Sequence, residues 1–312
     1  YSMGKDDQFD NQVMDWVKVI RNKVKMGAHP PGEFLVLDHL LHELRLFKSA
    51  GEIKLMEQAA KISAQGHKRA MACCKPGIKE YEMEAELLYA FTRNGSRAPA
   101  YNSIVAAGEN SCILHYNAND AEVKEGDLVL IDAGCEYRYY ASDITRTFPA
   151  TGKFSPEQKA IYEIVLAAQD AAIDAVAPGV SWDEPHKASV KVITQGLVKL
   201  GLLKGKVSQL IKAEAYRDFY MHRVGHWIGM DVHDVGDYKI DDHWRLLEPG
   251  MVTTIEPGIY ISPENKKVDK RWRGIGVRIE DDVLVTKLGN KILSKGIPKT
   301  VEEIESFMSR AV

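Results

Sequence analysis

The chain has 312 residues, 45% hydrophobic and 27% charged, which suits one large folded core or two moderate ones and excludes a disordered chain. Its 41 basic and 44 acidic residues leave a formal charge of -3 with both signs mixed along the length, so no basic arm points to nucleic acid or a membrane surface. No apolar run reaches the roughly 18 residues of a spanning helix, and the opening YSMGKDDQFD lacks the basic start and apolar core of a signal peptide.

Cys73, Cys74, Cys112 and Cys135 have neither CxxC spacing nor the density of a disulfide scaffold, which predicts a reducing, cytoplasmic setting. A chain that opens on Tyr1 reads as a piece of a longer protein, which leaves room for an upstream targeting segment.

In chain order, residues 10 to 24 place Val13, Val17, Ile20 and Val24 at helical spacing, and GAHPPG at 27 to 32 ends the run. A helix this short cannot bury its apolar face alone. Residues 1 to 30 are therefore expected to be the remnant of an upstream domain plus linker, and 31 to 312 the main domain; packing of the first helix on the main body is the alternative. Ser49 and Glu52 have capping-box spacing ahead of Ile53, Met56, Ala60, Ala64 and Met71, which predicts a long helix ending before KPG at 75 to 77. Residues 80 to 95 predict a second helix stopped by Asn94 and Gly95. Ser155, Pro156 and Gln158 start a third that runs to about Val176, and a fourth spans 181 to 201 with Ser181 as its cap and Pro185 in its first turn. Between and after these lie β-rich runs: NSIVAAG, DLVLIDAG, YRYYASDITRTF, MVTTIEPGIYI and GVRIEDDVLVT. Helices, strands, helices, strands describe two α+β halves around one antiparallel core, and EGDLVLIDAG and EPGMVTTIEPG echo one another as in an internal duplication.

The acids in those strands carry the functional signal. Asp132 follows four apolar residues, where an unpaired carboxylate would take up a proton; a cation removes that cost. A hairpin return would bring Asp143 beside it, and Glu256 and Glu280 repeat the arrangement. Hard oxygen donors suit Mn²⁺ or Mg²⁺, and a nitrogen donor shifts the preference toward Mn²⁺, Co²⁺ or Zn²⁺. FYMHRVGHWIGMDVHD supplies such donors in His222, His226 and His233, with Gly225 and Gly229 permitting close backbone approach. Arg278 shares alternation parity with Glu280 and should face the same side. Each residue also has an ordinary reading: Asp132 in a turn at AG, Asp143 capping a bend, Glu256-Pro257-Gly258 as a surface turn, Glu280 in a solvated acidic run. The combination favours metal.

These residues resemble the pita-bread metallopeptidases and, within them, the Xaa-Pro aminopeptidase (aminopeptidase P) family. The resemblance covers most of 35 to 308, through PAYNSIVAAGENSCILHY, LIDAGCEYRYYASDITRTF, HRVGHWIGMDVHDVG, TIEPGIYI and GIGVRIEDD. It implies a pita-bread α+β fold with two pseudo-symmetric halves around a curved antiparallel sheet. It implies two divalent cations, manganese expected with cobalt or zinc as alternatives, on Asp132, Asp143, His226, Glu256 and Glu280. It lends substrate-site roles to His115 and His222, transition-state stabilisation of the carbonyl oxygen to His233, a proton shuttle to Glu256 and an organising role to Arg278. The implied partner is a proline-containing peptide, with no nucleic acid or membrane, and a homo-oligomer whose assembly depends on the N-terminal domain that full-length relatives carry. The implied reaction releases the N-terminal residue when proline is second. Alternatives are a prolidase acting on Xaa-Pro dipeptides, a methionine aminopeptidase, or a non-catalytic pita-bread module that binds protein.

Overall fold

A computed structural model describes residues 3–311. The chain divides into two compact units after Arg45. The sequence reading placed its boundary after residue 30, so residues 31 to 45 fall with the N-terminal unit. That unit holds the helices Asp7–Arg21 and most of Leu37–Leu46. The Asp6 carboxylate caps the first by accepting from Phe9 N at 3.0 Å.

The second unit repeats one plan, a helix pair and then antiparallel strands. Its first pair is Ala50–Cys73 and Glu80–Arg93. The expected capping box is present: Ser49 Oγ accepts from Glu52 N, and the Glu52 carboxylate accepts from Ser49 N at 2.8 Å. The strands Ile104–Ala107, Leu128–Asp132 and Thr145–Pro149 follow as one antiparallel sheet. The second pair is Pro156–Asp174, capped by Ser155 and Gln158 as expected, and Glu184–Lys199. Ser181 does not cap that last helix. It bridges to Leu246 instead, the helix begins at Glu184 after an Asp183 that makes no side-chain cap, and Pro185 lies in the first turn. Val252–Ile255, Asp281–Thr286 and Gly289–Ile292 then form a sheet, beside the pair Gly258–Ile261 and Ile275–Arg278.

One continuous core links the halves. Met71, Met83, Leu87 and Phe91 from the first helix pair meet Val129, Ile131 and Phe148, and the cluster continues to Ile161, Val165, Ile193, Ile259 and Val277. Burial of each such side chain is worth about 1.5–3 kcal/mol, which makes the strands between them a rigid floor. Cys73, Cys74, Cys112 and Cys135 are all free thiols. No helix among the described residues is long and apolar enough to cross a membrane.

Register decides which groups converge. Asp132 stands opposite Thr145, and the chain returns antiparallel between them, with Ala133 N donating to Ile144 O at 3.0 Å. The tip of that return is a two-residue turn in which Arg138 and Tyr139 both adopt positive φ, 51° and 71°, matching the twist of a tight hairpin. The histidine-rich segment has no helix and runs alongside Val252–Ile255 instead: Thr254 N donates to His226 O at 2.9 Å and Glu256 N to Val224 O at 2.7 Å. His226 and Glu256 are thereby neighbours. This approach needs glycine, since a Cβ on Gly225 would lie 1.9 Å from Thr254 O. Gly225→Ala is expected to force the two backbones apart, at about 1–3 kcal/mol or more. A lowered thermal midpoint together with reduced metal occupancy checks this; an unshifted melt would contradict it.

Candidate metal centre

One cavity of about 730 Å³ is lined by Asp132, Asp143, His226, Glu256 and Glu280, and also by His115, His222, His233 and Arg278. Every site residue expected from the sequence therefore faces the same space. Asp143, His226 and Glu280 each offer an atom within 4.8 Å of the other two. His226 Nε2 is 3.5 Å from both Asp143 Oδ2 and Glu256 Oε1. Its Nδ1 is 3.0 Å from Trp227 O, a contact only an N–H can make, so Nε2 is the nitrogen whose lone pair a metal would take, and without metal it faces the carboxylates as the second N–H of an imidazolium. Asp132 is reached by Tyr101, whose hydroxyl lies 2.7 Å from Asp132 Oδ1 and also contacts Asp143. Glu280 accepts from Thr145 Oγ1 at 2.6 Å.

The protonation energetics fit a cation site. Burial, then repulsion from Asp143, Glu256 and Asp132, holds Glu280 well above the carboxylate range. Burial also raises Glu256 to about 7 against the opposing charges of His226 and Arg278. Asp132 is raised by burial despite Arg278. Asp143 alone is lowered: burial pushes it up, but the hydrogen bond and charge of His226 outweigh that. Burial pushes His226 down, yet Asp143 and Glu256 lift it to about 9. Protons thus stand in for positive charge among clustered acids, which is the condition a divalent ion relieves. The donor set, four carboxylates and one imidazole nitrogen, fits hard or borderline divalent ions. Metal uptake near pH 7 should therefore displace protons. Titration calorimetry in buffers of different ionisation enthalpy reads that release, and buffer-independent heats would contradict it.

The other polar groups form an ordered wall. His222 Nδ1 donates to Arg223 O at 2.8 Å, so its Nε2 accepts from Tyr260 OH at 2.9 Å. Burial and then the charge of Arg278 depress His222 to about 3 and keep it neutral. Tyr260 OH in turn accepts from Arg278 Nη1 at 2.9 Å, and Arg278 Nη2 donates to Asp132 Oδ2 at 2.7 Å. Arg278 and Glu280 do face one site, as their parity predicted. His233 stacks edge-on to His226 with ring centroids 4.2 Å apart, and burial followed by that neighbour lowers its pKa.

Sequence reasoning did not single out Tyr101, Tyr260 or Glu80. Glu80 is buried and accepts from Ala107 N at 2.8 Å, Tyr116 OH at 2.8 Å and Ala121 N at 2.9 Å, which pins the loop that carries His115. In the sequence it is one of two acids in the first turn of a helix, where the helix dipole alone favours an acid. Tyr101 lies within PAYNSIVAAG, where its hydroxyl is the one sequence signal of a polar role.

A two-half α+β fold with a carboxylate and histidine cluster in a shared cavity is the architecture of a metallopeptidase. The chain matches metallopeptidase family M24 over residues 54–287 and belongs to that family. It is similar to Pseudomonas aeruginosa aminopeptidase PepP, whose structure matches at 62% identity with a TM-score of 0.95, covering 100% of this chain and 70% of that one. It is 55% identical to the Haemophilus influenzae Xaa-Pro aminopeptidase over 86% of this chain, and spans 62% of that relative's length. The human Xaa-Pro dipeptidase is 40% identical over 89% of this chain and 64% of its own length.

Proposed function

We propose that this chain carries a dinuclear divalent-metal centre and releases the N-terminal residue from peptides with proline second. The convergence of Asp143, His226 and Glu280, with Asp132 and Glu256 at the same cavity, is the observation that carries the reading. These five residues would hold the ions; manganese is the expected metal, with cobalt or zinc as alternatives. When bound, such ions supply Lewis acidity that polarises a carbonyl and makes water a competent nucleophile at neutral pH.

The protein groups divide the remaining work. A proline amide nitrogen has no hydrogen and must gain one as its bond to the carbonyl carbon breaks, and Glu256, whose second oxygen lies 3.9 Å from His222 Nδ1, shuttles to it the proton that the attacking water gives up. His233 donates to the carbonyl oxygen as charge develops there. His222, held from behind by Tyr260, faces the proline side of the substrate, Arg278 organises the ligand network through Asp132, and His115 lines the substrate site. Residues 1 to 30 are read as the remnant of an upstream domain, and the four free thiols support a cytoplasmic setting.

Ala-Pro-Ala, Ala-Pro and Met-Ala-Ala, each with added manganese, separate the readings. Release of alanine from the tripeptide is expected. Turnover confined to Ala-Pro would favour the dipeptidase reading, which the human relative supports. Methionine release would favour the methionine aminopeptidase reading, and a metal-loaded protein inert on all three would favour the binding module.

A further inference from the structure

Lys48 and Asp234 form an ion pair whose side chains are each 1% exposed, with Lys48 Nζ 3.1 Å from Asp234 Oδ2. They lie 186 positions apart, and the chemistry above assigns them no part. Burial of two charges is costly, so a buried pair is weak evidence for stability and its presence asks for another reason.

Location supplies one. Asp234 directly follows His233 and lines the same cavity. The segment from Trp227 to Asp234 closes on itself, with Asp234 N donating to Trp227 O at 2.9 Å and Gly229 N to Asp231 O at 3.1 Å. Gly229 O accepts from Ala141 N at 2.8 Å, which ties the loop to the strand leading into Asp143. Regular secondary structure does not fix residues 229 to 234, so a side-chain anchor matters there. Lys48 is itself held, its N donating to Gly250 O at 2.8 Å just ahead of the capped start of Ala50–Cys73. Gly229 leaves the space: a Cβ there would lie 2.1 Å from Asp234 Oδ2 and 3.0 Å from Lys48 Nζ.

We propose that Lys48 is a positioning residue, whose buried pair with Asp234 anchors the loop of residues 227 to 234 to the start of helix Ala50–Cys73 and holds His233 at the reaction centre. The consequence for turnover rests on the peptidase reading and on the role given there to His233; the anchoring itself does not. Misplacement of such a group by about 1 Å lowers a rate up to about 100-fold.

The test uses Lys48→Met, Lys48→Arg and the double variant Lys48→Met/Asp234→Leu, which removes both charges and so avoids a lone buried ion. Hydrogen exchange of the 227 to 234 amides is expected to quicken in Lys48→Met and the double variant and to change less in Lys48→Arg. Unchanged exchange overturns the anchor whether or not the wild type hydrolyses peptide. On Ala-Pro-Ala, kcat should fall about 10- to 100-fold with KM little altered and metal content intact. In a His233→Ala background the same Lys48 substitution should cost almost nothing further. An equal loss in both backgrounds, a double variant with wild-type kcat, or metal loss in step with activity would each overturn the role. A wild type without turnover would instead sink the peptidase reading, leaving the exchange result to decide the anchor.

Discussion

Replacing His226 by alanine is expected to lower divalent-metal affinity by more than about 100-fold and to abolish proline-peptide turnover with it. That figure exceeds the 10- to 100-fold loss typical of removing a group that only orients a ligand, because in the proposed centre His226 would be the nitrogen donor itself. Its Nε2 points between Asp143 and Glu256, 3.5 Å from an oxygen of each, and the Trp227 carbonyl fixes the ring by accepting from Nδ1. The acids that remain repel one another, so an ion held by them alone lacks the one donor whose orientation is set by backbone. Two measurements check this. Elemental analysis after dialysis should show a substoichiometric metal content, and the thermal shift that metal gives the wild type should vanish. For a ligand at 100 times its Kd that shift corresponds to about 2.7 kcal/mol. His243→Ala, in the exposed hairpin of Lys239 to Trp244, serves as the control and should change neither. Wild-type metal content and turnover in His226→Ala would remove His226 from the ligand set.

Local signals in the sequence transferred to the structure almost intact. Ser49 with Glu52, and Ser155 with Gln158, cap helices as their spacing demands, because a capping box is settled within four residues. The runs before Asp132 and Glu256 are buried strands, because their β-branched and aliphatic side chains favour a buried, extended backbone. What failed were judgements that depend on distant partners. Ser181 has the chemistry of a cap, but its backbone is committed to a bridge with Leu246, and the helix starts three residues later. Glu80 and Lys48 look like surface charges in their own segments; each is buried only because a loop from elsewhere in the chain closes over it. Tyr101 escaped notice for the same reason, since its two acceptors, Asp132 and Asp143, come from strands that only the folded hairpin brings together.

Arg278→Met should produce the largest loss of fold stability at this site, and the loss should depend on metal. Arg278 is 4% exposed and donates to Asp132 Oδ2 at 2.7 Å, Tyr260 OH at 2.9 Å and Thr145 Oγ1 at 3.3 Å. Breaking a buried pair by removing one partner costs about 3–5 kcal/mol, mostly from the charge left behind. Asp132 is already raised by burial, so in the metal-free variant it can shed part of that cost by taking up a proton, which points to the lower end, about 3 kcal/mol. A divalent ion on Asp132 would compensate it more fully, so the destabilisation should shrink once metal is added. Catalysis should fall for a second reason: Tyr260 loses the donor that fixes its hydroxyl, and the His222 ring loses the acceptor pattern that Tyr260 imposes, so KM for a proline peptide should rise along with a lower kcat. Arg278→Lys should be intermediate, because an ammonium can meet Asp132 as a point charge but cannot also span Tyr260 and Thr145 in the plane of a guanidinium. Denaturant melts with chelator and with manganese, run on both variants, give the comparison. A methionine variant as stable as wild type under chelation would mean that Asp132 does not need Arg278. An equal loss with and without metal would mean that Asp132 is not where the ion sits.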